Sequence, residues 1–180
     1  MERKKVLLGI SSSIAAYKSC DLIRMFVDRG YDVFPIVTEN AKQLVTPLTL
    51  ETLANNPVYS DTFLSHDRKI SHISLKEDAA ILLIAPATAN IIGKFAHGIA
   101  DDLLSTTFLS VTCPILIAPA MNPSMWQNPA LQDNVLVLKE RGIKFIGPSE
   151  GSVVSGEKGI GRMAQIEDIF DSAVTILEGK

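Results

Sequence analysis

Short, almost continuously apolar runs alternate along the chain with stretches whose apolar residues recur at helical spacing. Lys5–Ile10, Asp32–Val37, Ala79–Ala85, Pro114–Ala118 and Lys144–Ile146 have strand length and the composition of strands covered on both faces. Between the first two, Ala16, Cys20, Ile23 and Val27 fall at i, i+4, i+7 and i+11. That spacing predicts one buried stripe on a helix from about Ile14 to Arg29, closed by Gly30. Pro35 places the second strand toward an edge or at an irregularity. Glu39 to Asn55 reads as helical, broken at Thr46-Pro47 and ended by Asn56-Pro57. Ile91, Ile92, Phe95 and Ala96 mark a helix after the third run, and Asp101 suits the cap of the next. Leu131, Val135 and Leu138 mark another, which starts no earlier than Asn128-Pro129. Ile166, Ile169, Phe170, Ala173, Val174 and Leu177 mark the last. Strands alternating with helices, joined by right-handed crossovers, predict an α/β chain: an open parallel sheet with helices on both faces.

Two segments resist this reading. Val58 to Ser71 has no clear period, and His66 within it reads as a solvated loop residue. Just after it, Ile70 to Leu75 alternates and sets His72 opposite Ile73 and Leu75. A histidine there is either a structural donor or, with its intrinsic pKa near neutrality, a group that moves protons. Gly147 to Met163 holds five of the eleven glycines, which predicts a mobile loop: a plain surface excursion or a lid.

Composition narrows the function. The 180 residues fit one domain, residues 1–180, large enough to bury a core without staples. Lys and Arg number 17 against 20 Asp and Glu, a net charge of −3. This balance predicts no nucleic-acid and no membrane partner, since either would want a basic stripe. No run approaches the roughly 20 apolar residues of a membrane span. Met1-Glu2-Arg3-Lys4-Lys5 leads into a strand with no signal-peptide pattern. Cys20 and Cys113 are too few for a disulfide framework or a structural zinc, so the expectation is a cytoplasmic protein without a metal.

The chemistry sits where strands end. Gly9-Ile10-Ser11-Ser12-Ser13 stands where a dinucleotide site wants Gly-x-Gly-x-x-Gly. Hydroxyls and backbone amides at a helix start can hold one phosphate, and a mononucleotide fits better than a dinucleotide. Alternatively Ser13 simply caps the helix. Thr38 adds a hydroxyl to the same edge. Beyond the fourth run comes Pro119-Ala120-Met121-Asn122-Pro123-Ser124-Met125-Trp126, an amide with two methionines and the only tryptophan. These side chains either fill core or face a ligand beyond the sheet.

The octet Pro-x-Met-Asn-x-x-Met-Trp resembles the signature of the flavin-dependent cysteine decarboxylases. That family includes phosphopantothenoylcysteine decarboxylases, peptidyl-cysteine decarboxylases and halotolerance-type flavoproteins. Pro86-Ala87-Thr88-Ala89-Asn90 resembles the family's second signature, and Gly98 to Thr106 resembles its Gly-x-x-x-Asp-x-Leu stretch. The resemblance implies a Rossmann-like, flavodoxin-type sheet with FMN across its carboxyl edge. The phosphate would lie near Ser11, Ser12 and Ser13, the ring near Thr88, Ala89, Asn90, Ala120 and Met121, with Thr38 and Ser105 also in the cofactor set. It further implies His72, Asn122 and the residue at position 155 as catalytic, and Asn122, Met125, Gly161, Arg162 and Met163 as substrate contacts. The expected reaction is decarboxylation of 4'-phosphopantothenoylcysteine in coenzyme A biosynthesis. The expected assembly is a homotrimer, or shells of trimers, with a fused or separate phosphopantothenate–cysteine ligase as partner.

One departure bears on the chemistry. Val154 to Met163 matches the family's glycine-rich loop except that Ser155 stands where a cysteine is expected. A hydroxyl is a far poorer acid than a thiol, so the closing reduction should be impaired. This fits a deliberate Cys-to-Ser replacement, or a protein that stops at the oxidised enethiol as peptidyl-cysteine decarboxylases do. A regulatory flavin-binding subunit is the non-enzymatic alternative. A flavin prenyltransferase shares the serine-rich loop but lacks the octet.

Overall fold

The computed structural model describes residues 3–60, 71–152, 156 and 158–179, with backbone alone at Ser71, His72 and Ser152. Each apolar run forms a strand: β1 (Lys5–Ile10), β2 (Asp32–Val37), β3 (Ala79–Ala87), β4 (Ile115–Pro119) and β5 (Lys144–Phe145). All pair in parallel, in the order β2-β1-β3-β4-β5. This is the flavodoxin-like doubly wound order, whose progression reverses between β1 and β3. The crevice beyond the carboxyl ends at that reversal is where such sheets take ligands.

The helices are α1 (Ser19–Asp28), α2 (Pro47–Ala54), α3 (Ser71–Lys76), α4 (Ala89–His97), α5 (Leu103–Ser110), α6 (Pro123–Trp126), α7 (Pro129–Glu140) and α8 (Ile166–Glu178). Strand periodicity divides the core between them. Val6, Leu8, Ile10, Ile81, Leu83 and Ala85 join residues of α1, α2 and α8 on one face; Leu7, Leu82 and Ile84 join α3, α4, α5 and α7 on the other. β2 is an edge strand, as Pro35 implied, and Tyr59 covers part of that edge. Its N–H donates to Pro35 O at 2.9 Å and its carbonyl accepts from Val37 N–H at 2.9 Å. Among the described residues no helix is long and apolar enough to cross a membrane.

The structure departs from the sequence-based expectations at several places, each with a local cause. The first helix opens as a 3₁₀ turn, Ile14–Lys18, before α1 begins. In a 3₁₀ turn residues three apart eclipse. Buried Ala16 is therefore followed by buried Ser19 rather than Cys20, and Leu22, Ile23 and Phe26 complete the stripe, with Cys20 and Val27 at its flank. Asp102, not Asp101, caps α5, and it does so through a reciprocal capping box with Ser105. The segment with His72 is helical (α3), not extended; Leu75 is buried while Ile73 is 41% exposed. A helix starts before Asn128, because Asn122 and Pro123 form a second cap-plus-proline start for α6. The glycine-rich segment is no irregular excursion over its described residues: β6 (Ser149–Ser152) and β7 (Lys158–Arg162) pair antiparallel.

Candidate active site

The site is built at the carboxyl ends of β1, β3 and β4. After β1 the chain turns through three serines with three different duties. Ser11 is buried and faces inward: its hydroxyl donates to Pro86 O at 2.9 Å and accepts from Thr88 N–H at 2.9 Å. It ties the β1 turn to the end of β3 and does not line the cavity. Ser13 caps the 3₁₀ turn, accepting from Ala15 N–H at 3.3 Å. Ser12 and Ser13 both line a cavity of about 730 Å³, within the range that holds a drug-sized ligand. Thr88 caps α4 by accepting from Ile91 N–H, and Thr88, Ala89 and Asn90 form a second wall of the cavity.

Thr38 stands beside the serine turn, its N–H donating to Ile10 O at 3.1 Å. It starts the second 3₁₀ turn, Glu39–Gln43, without a side-chain capping bond, and among the described residues its buried Oγ1 has no hydrogen-bond partner. A buried hydroxyl without a partner is costly unless something else satisfies it. Ser105 is fully buried, its hydroxyl bonded to Asp102 Oδ1 at 2.9 Å in the α5 capping box, away from the cavity lining.

The octet supplies the third wall. Ala120, Met121, Asn122 and Met125 line the cavity. Asn122 Oδ1 accepts from Ser124 N–H at 2.8 Å, which caps α6 and fixes the orientation of the amide. With the carbonyl oxygen engaged, the Nδ2 end is the donor of this side chain. The β6–β7 hairpin closes on the octet: Met121 N–H donates to Gly161 O at 2.9 Å. A methyl at Gly161 would overlap the Met121 carbonyl oxygen, and one at Gly159 would come within 3.0 Å of Pro123 Cβ. Gly161 is thus required for the hairpin to lie on the motif, and Gly159 fits it with little room to spare. Gly161, Arg162 and Met163 complete the lining. The structure so gathers Ser12, Ser13, Thr88, Ala89, Asn90, Ala120, Met121, Asn122, Met125, Gly161, Arg162 and Met163 around one cavity. Ser155 lies outside the described residues, as does the side chain of His72.

Sequence reasoning missed Lys18, Tyr17, Ile14 and Ala15, which the 3₁₀ turn brings to the cavity. The available signal was the cation itself, placed one turn after a serine cluster. Burial lowers the Lys18 ammonium, the neighbouring Arg162 guanidinium lowers it further, and Glu167 opposes both. Among the described residues neither Lys18 nor Arg162 has a carboxylate within ion-pair distance. Two cations lining one cavity without such a counter-ion favour an anion there.

A turn of hydroxyls, a buried threonine hydroxyl beside it with no partner among the described residues, and a largely apolar cavity suit a flavin mononucleotide. The flavoprotein family model matches residues 1–178. The chain belongs to the flavoprotein family. This flavoprotein is 46% identical over 174 residues to the coenzyme A biosynthesis bifunctional protein CoaBC of Bacillus subtilis, covering 96% of the chain but 43% of that relative. It thus spans less than half the length of the bifunctional relatives it matches. It is 41% identical over 170 residues to a probable phosphopantothenoylcysteine decarboxylase of Streptococcus mutans, covering 93% of the chain and 95% of the relative. Among solved structures, a cysteine-to-serine mutant of a PPC decarboxylase complexed with pantothenoylaminoethenethiol aligns with a TM-score of 0.89 and 33% identity, over 98% of this chain and 100% of that one. The FMN-binding protein AtHal3 aligns with a TM-score of 0.86 and 32% identity, over 99% of each chain.

Proposed function

We propose that this flavoprotein binds FMN and decarboxylates 4'-phosphopantothenoylcysteine on the way to coenzyme A. The observation that carries the reading is the capped amide of Asn122 in a cavity that also holds two cations, Lys18 and Arg162. A substrate with a carboxylate at one end and a phosphate at the other matches that distribution of donors. Ser12, Ser13 and Thr38 would hold the cofactor's phosphate, and the walls at Thr88–Asn90 and Ala120–Met121 its ring. Bound there, FMN would supply the two-electron oxidation of the carbon beside sulfur that gives the departing carboxylate's electrons a sink. Asn122 holds the carboxylate through a neutral N–H; a cation there would stabilise the charge that must be lost. His72 takes part in proton transfer, and the hairpin with Met163 keeps water from the reacting carbon.

Position 155 sets where the reaction ends. With a serine instead of a thiol as proton donor, the reaction halts at the enethiol. That serine also suits a peptidyl-cysteine decarboxylase, which needs no closing reduction. The cation pair favours the phosphorylated substrate, because a peptide ending in cysteine brings no phosphate to it. We further propose that the chain forms a single catalytic domain, that it assembles as trimers, and that a ligase fused to it or separate from it supplies the substrate.

The test is to reconstitute the protein with FMN, add phosphopantothenoylcysteine, and follow carbon dioxide, flavin absorbance and product mass. Carbon dioxide release with bleaching of the flavin and an enethiol product is expected. A flavin-loaded protein that releases no carbon dioxide would overturn the proposal in favour of a regulatory flavin-binding subunit.

A further inference from the structure

The first 3₁₀ turn carries three eclipsed rows of side chains, since residues three apart stack in such a helix. Ala16 and Ser19 form the buried row, both at 0% exposure. Ala15 and Lys18 form a row that lines the cavity. Ile14 and Tyr17 form the third; both line the cavity, yet each is 58% exposed. Single exposed apolar residues need no explanation. An eclipsed pair at the mouth of a ligand cavity, one row away from a cation, is a different case.

We propose that Ile14 and Tyr17 form a ledge that selects the branched apolar carbon next to the substrate's phosphate. The inference rests on the substrate proposed above. In phosphopantothenoylcysteine one methylene separates the phosphate ester from a quaternary carbon bearing two methyl groups. A phosphate seated on Lys18 and Arg162 keeps those methyls within a side chain's reach of the 3₁₀ turn. The Ile14–Tyr17 row is the apolar surface there. Met125, 49% exposed on α6, borders the same cavity and extends the apolar rim. The cation thus recognises the end of the acyl half, and the ledge recognises its branching. Neither feature exists in a peptide ending in cysteine.

The test compares phosphopantothenoylcysteine with an analogue whose acyl half lacks the two methyls. Flavin bleaching is followed in single turnover on the FMN-loaded protein, at substrate concentrations well below saturation. The wild type should prefer the branched substrate on the order of 10-fold, a modest preference for methyl groups on an open ledge. In Ile14→Ser and in Tyr17→Ser the ratio should fall to near one. Ile14→Ala and Tyr17→Leu serve where the serine variants do not fold, and light scattering tracks the oligomer. A ratio near one in the wild type, or a ratio that survives in the folded variants, overturns the ledge. Variants that change oligomer mass but keep the ratio also overturn it, because the row is then covered by a second copy. Should the wild type decarboxylate neither compound, the proposed reaction fails, and competitive binding of phosphopantothenate against its unbranched analogue still decides the ledge. Preference for the branched acid, lost in the variants, supports it; equal binding overturns it.

Discussion

Asn122 and Asp102 are both helix caps, and the two differ in what else their side chains do. At Asn122 the cap of α6 is made by Oδ1. Asn122→Asp keeps an oxygen for Ser124 N–H, since Asp caps as well as Asn. It also puts a negative oxygen where the amide N–H stood. We expect the melting temperature to hold while the rate of carbon dioxide release falls by about 100-fold or more, as when a positioned donor to a reacting anion is removed. A matched loss of melting temperature would instead assign Asn122 a structural duty. At Asp102 the side chain is spent on the fold. Burial alone would raise its carboxyl, but hydrogen bonds from Lys94 at 2.7 Å and from Ser105 outweigh that and hold it below the usual carboxylate range. A depressed carboxyl contributes stability above its unfolded value, roughly 3.9, and loses it as pH falls through the folded value. Burial likewise lowers the Lys94 ammonium, and Asp101 and Asp102 more than reverse it, so its share is present below the unfolded value and lost only as pH rises through the raised one. Asp102→Ala should therefore cost about 1–2 kcal/mol at pH 7, the usual price of a lost cap. In thermal melts across pH 2–7 the gap between wild type and Asp102→Ala should close toward the acid end; a gap constant with pH would remove the carboxylate from the account.

At the scale of elements, what the sequence made legible and what it hid follow from periodicity. The strands were readable because β1, β3 and β4 are buried on both faces and therefore apolar at every position after Lys5, the first residue of β1. The edge position of β2 was readable from Pro35, because a residue without an N–H suits an edge. The turn after β1 was not. Ile14 to Lys18 carries residues that fit a 3.6 period as readily as a 3.0 one, and the choice lies in Ser19 Oγ reaching Ala85 O at 2.8 Å, a contact across 66 residues. That one shift moves Lys18 and Tyr17 onto the cavity, so the misread turn and the missed site residues share a cause. The hairpin was hidden differently: five glycines suggest mobility, but at Gly159 and Gly161 they serve close approach to Pro123 and Met121. Gly161→Ala tests this element. The added methyl meets backbone, which cannot step aside as a side chain can, so β7 should detach from the octet. Faster limited proteolysis between β6 and β7 and weaker FMN retention are expected, with the melting temperature of the sheet little changed. Unaltered proteolysis would mean that the hairpin does not depend on this contact.

For the molecule as a whole, the sheet edge, the octet and the hairpin enclose one cavity, and in the proposed reaction the outcome of a full turnover turns on position 155. In the proposed reaction no part that removes carbon dioxide depends on that residue. The sink for electrons would belong to the cofactor, the carboxylate contact to Asn122 and the anion contacts to Lys18 and Arg162. Returning the hydride requires a proton delivered to carbon at the same time, and delivery depends on the acidity of the donor. A cysteine thiol, with a pKa of roughly 8.5, can make that transfer near neutrality; a serine hydroxyl is many orders of magnitude weaker. Ser155→Cys should therefore leave the rate of carbon dioxide release close to that of the parent and change the product, from an enethiol with the flavin left reduced to a saturated thiol with the flavin reoxidised. Mass spectrometry separates the two by their two hydrogens, and the flavin absorbance should recover only in the cysteine variant. If both proteins yield the saturated thiol, the closing proton comes from elsewhere in the site. If neither does, the molecule is built to stop at the enethiol, and the phosphopantetheine-forming role gives way to an oxidative one.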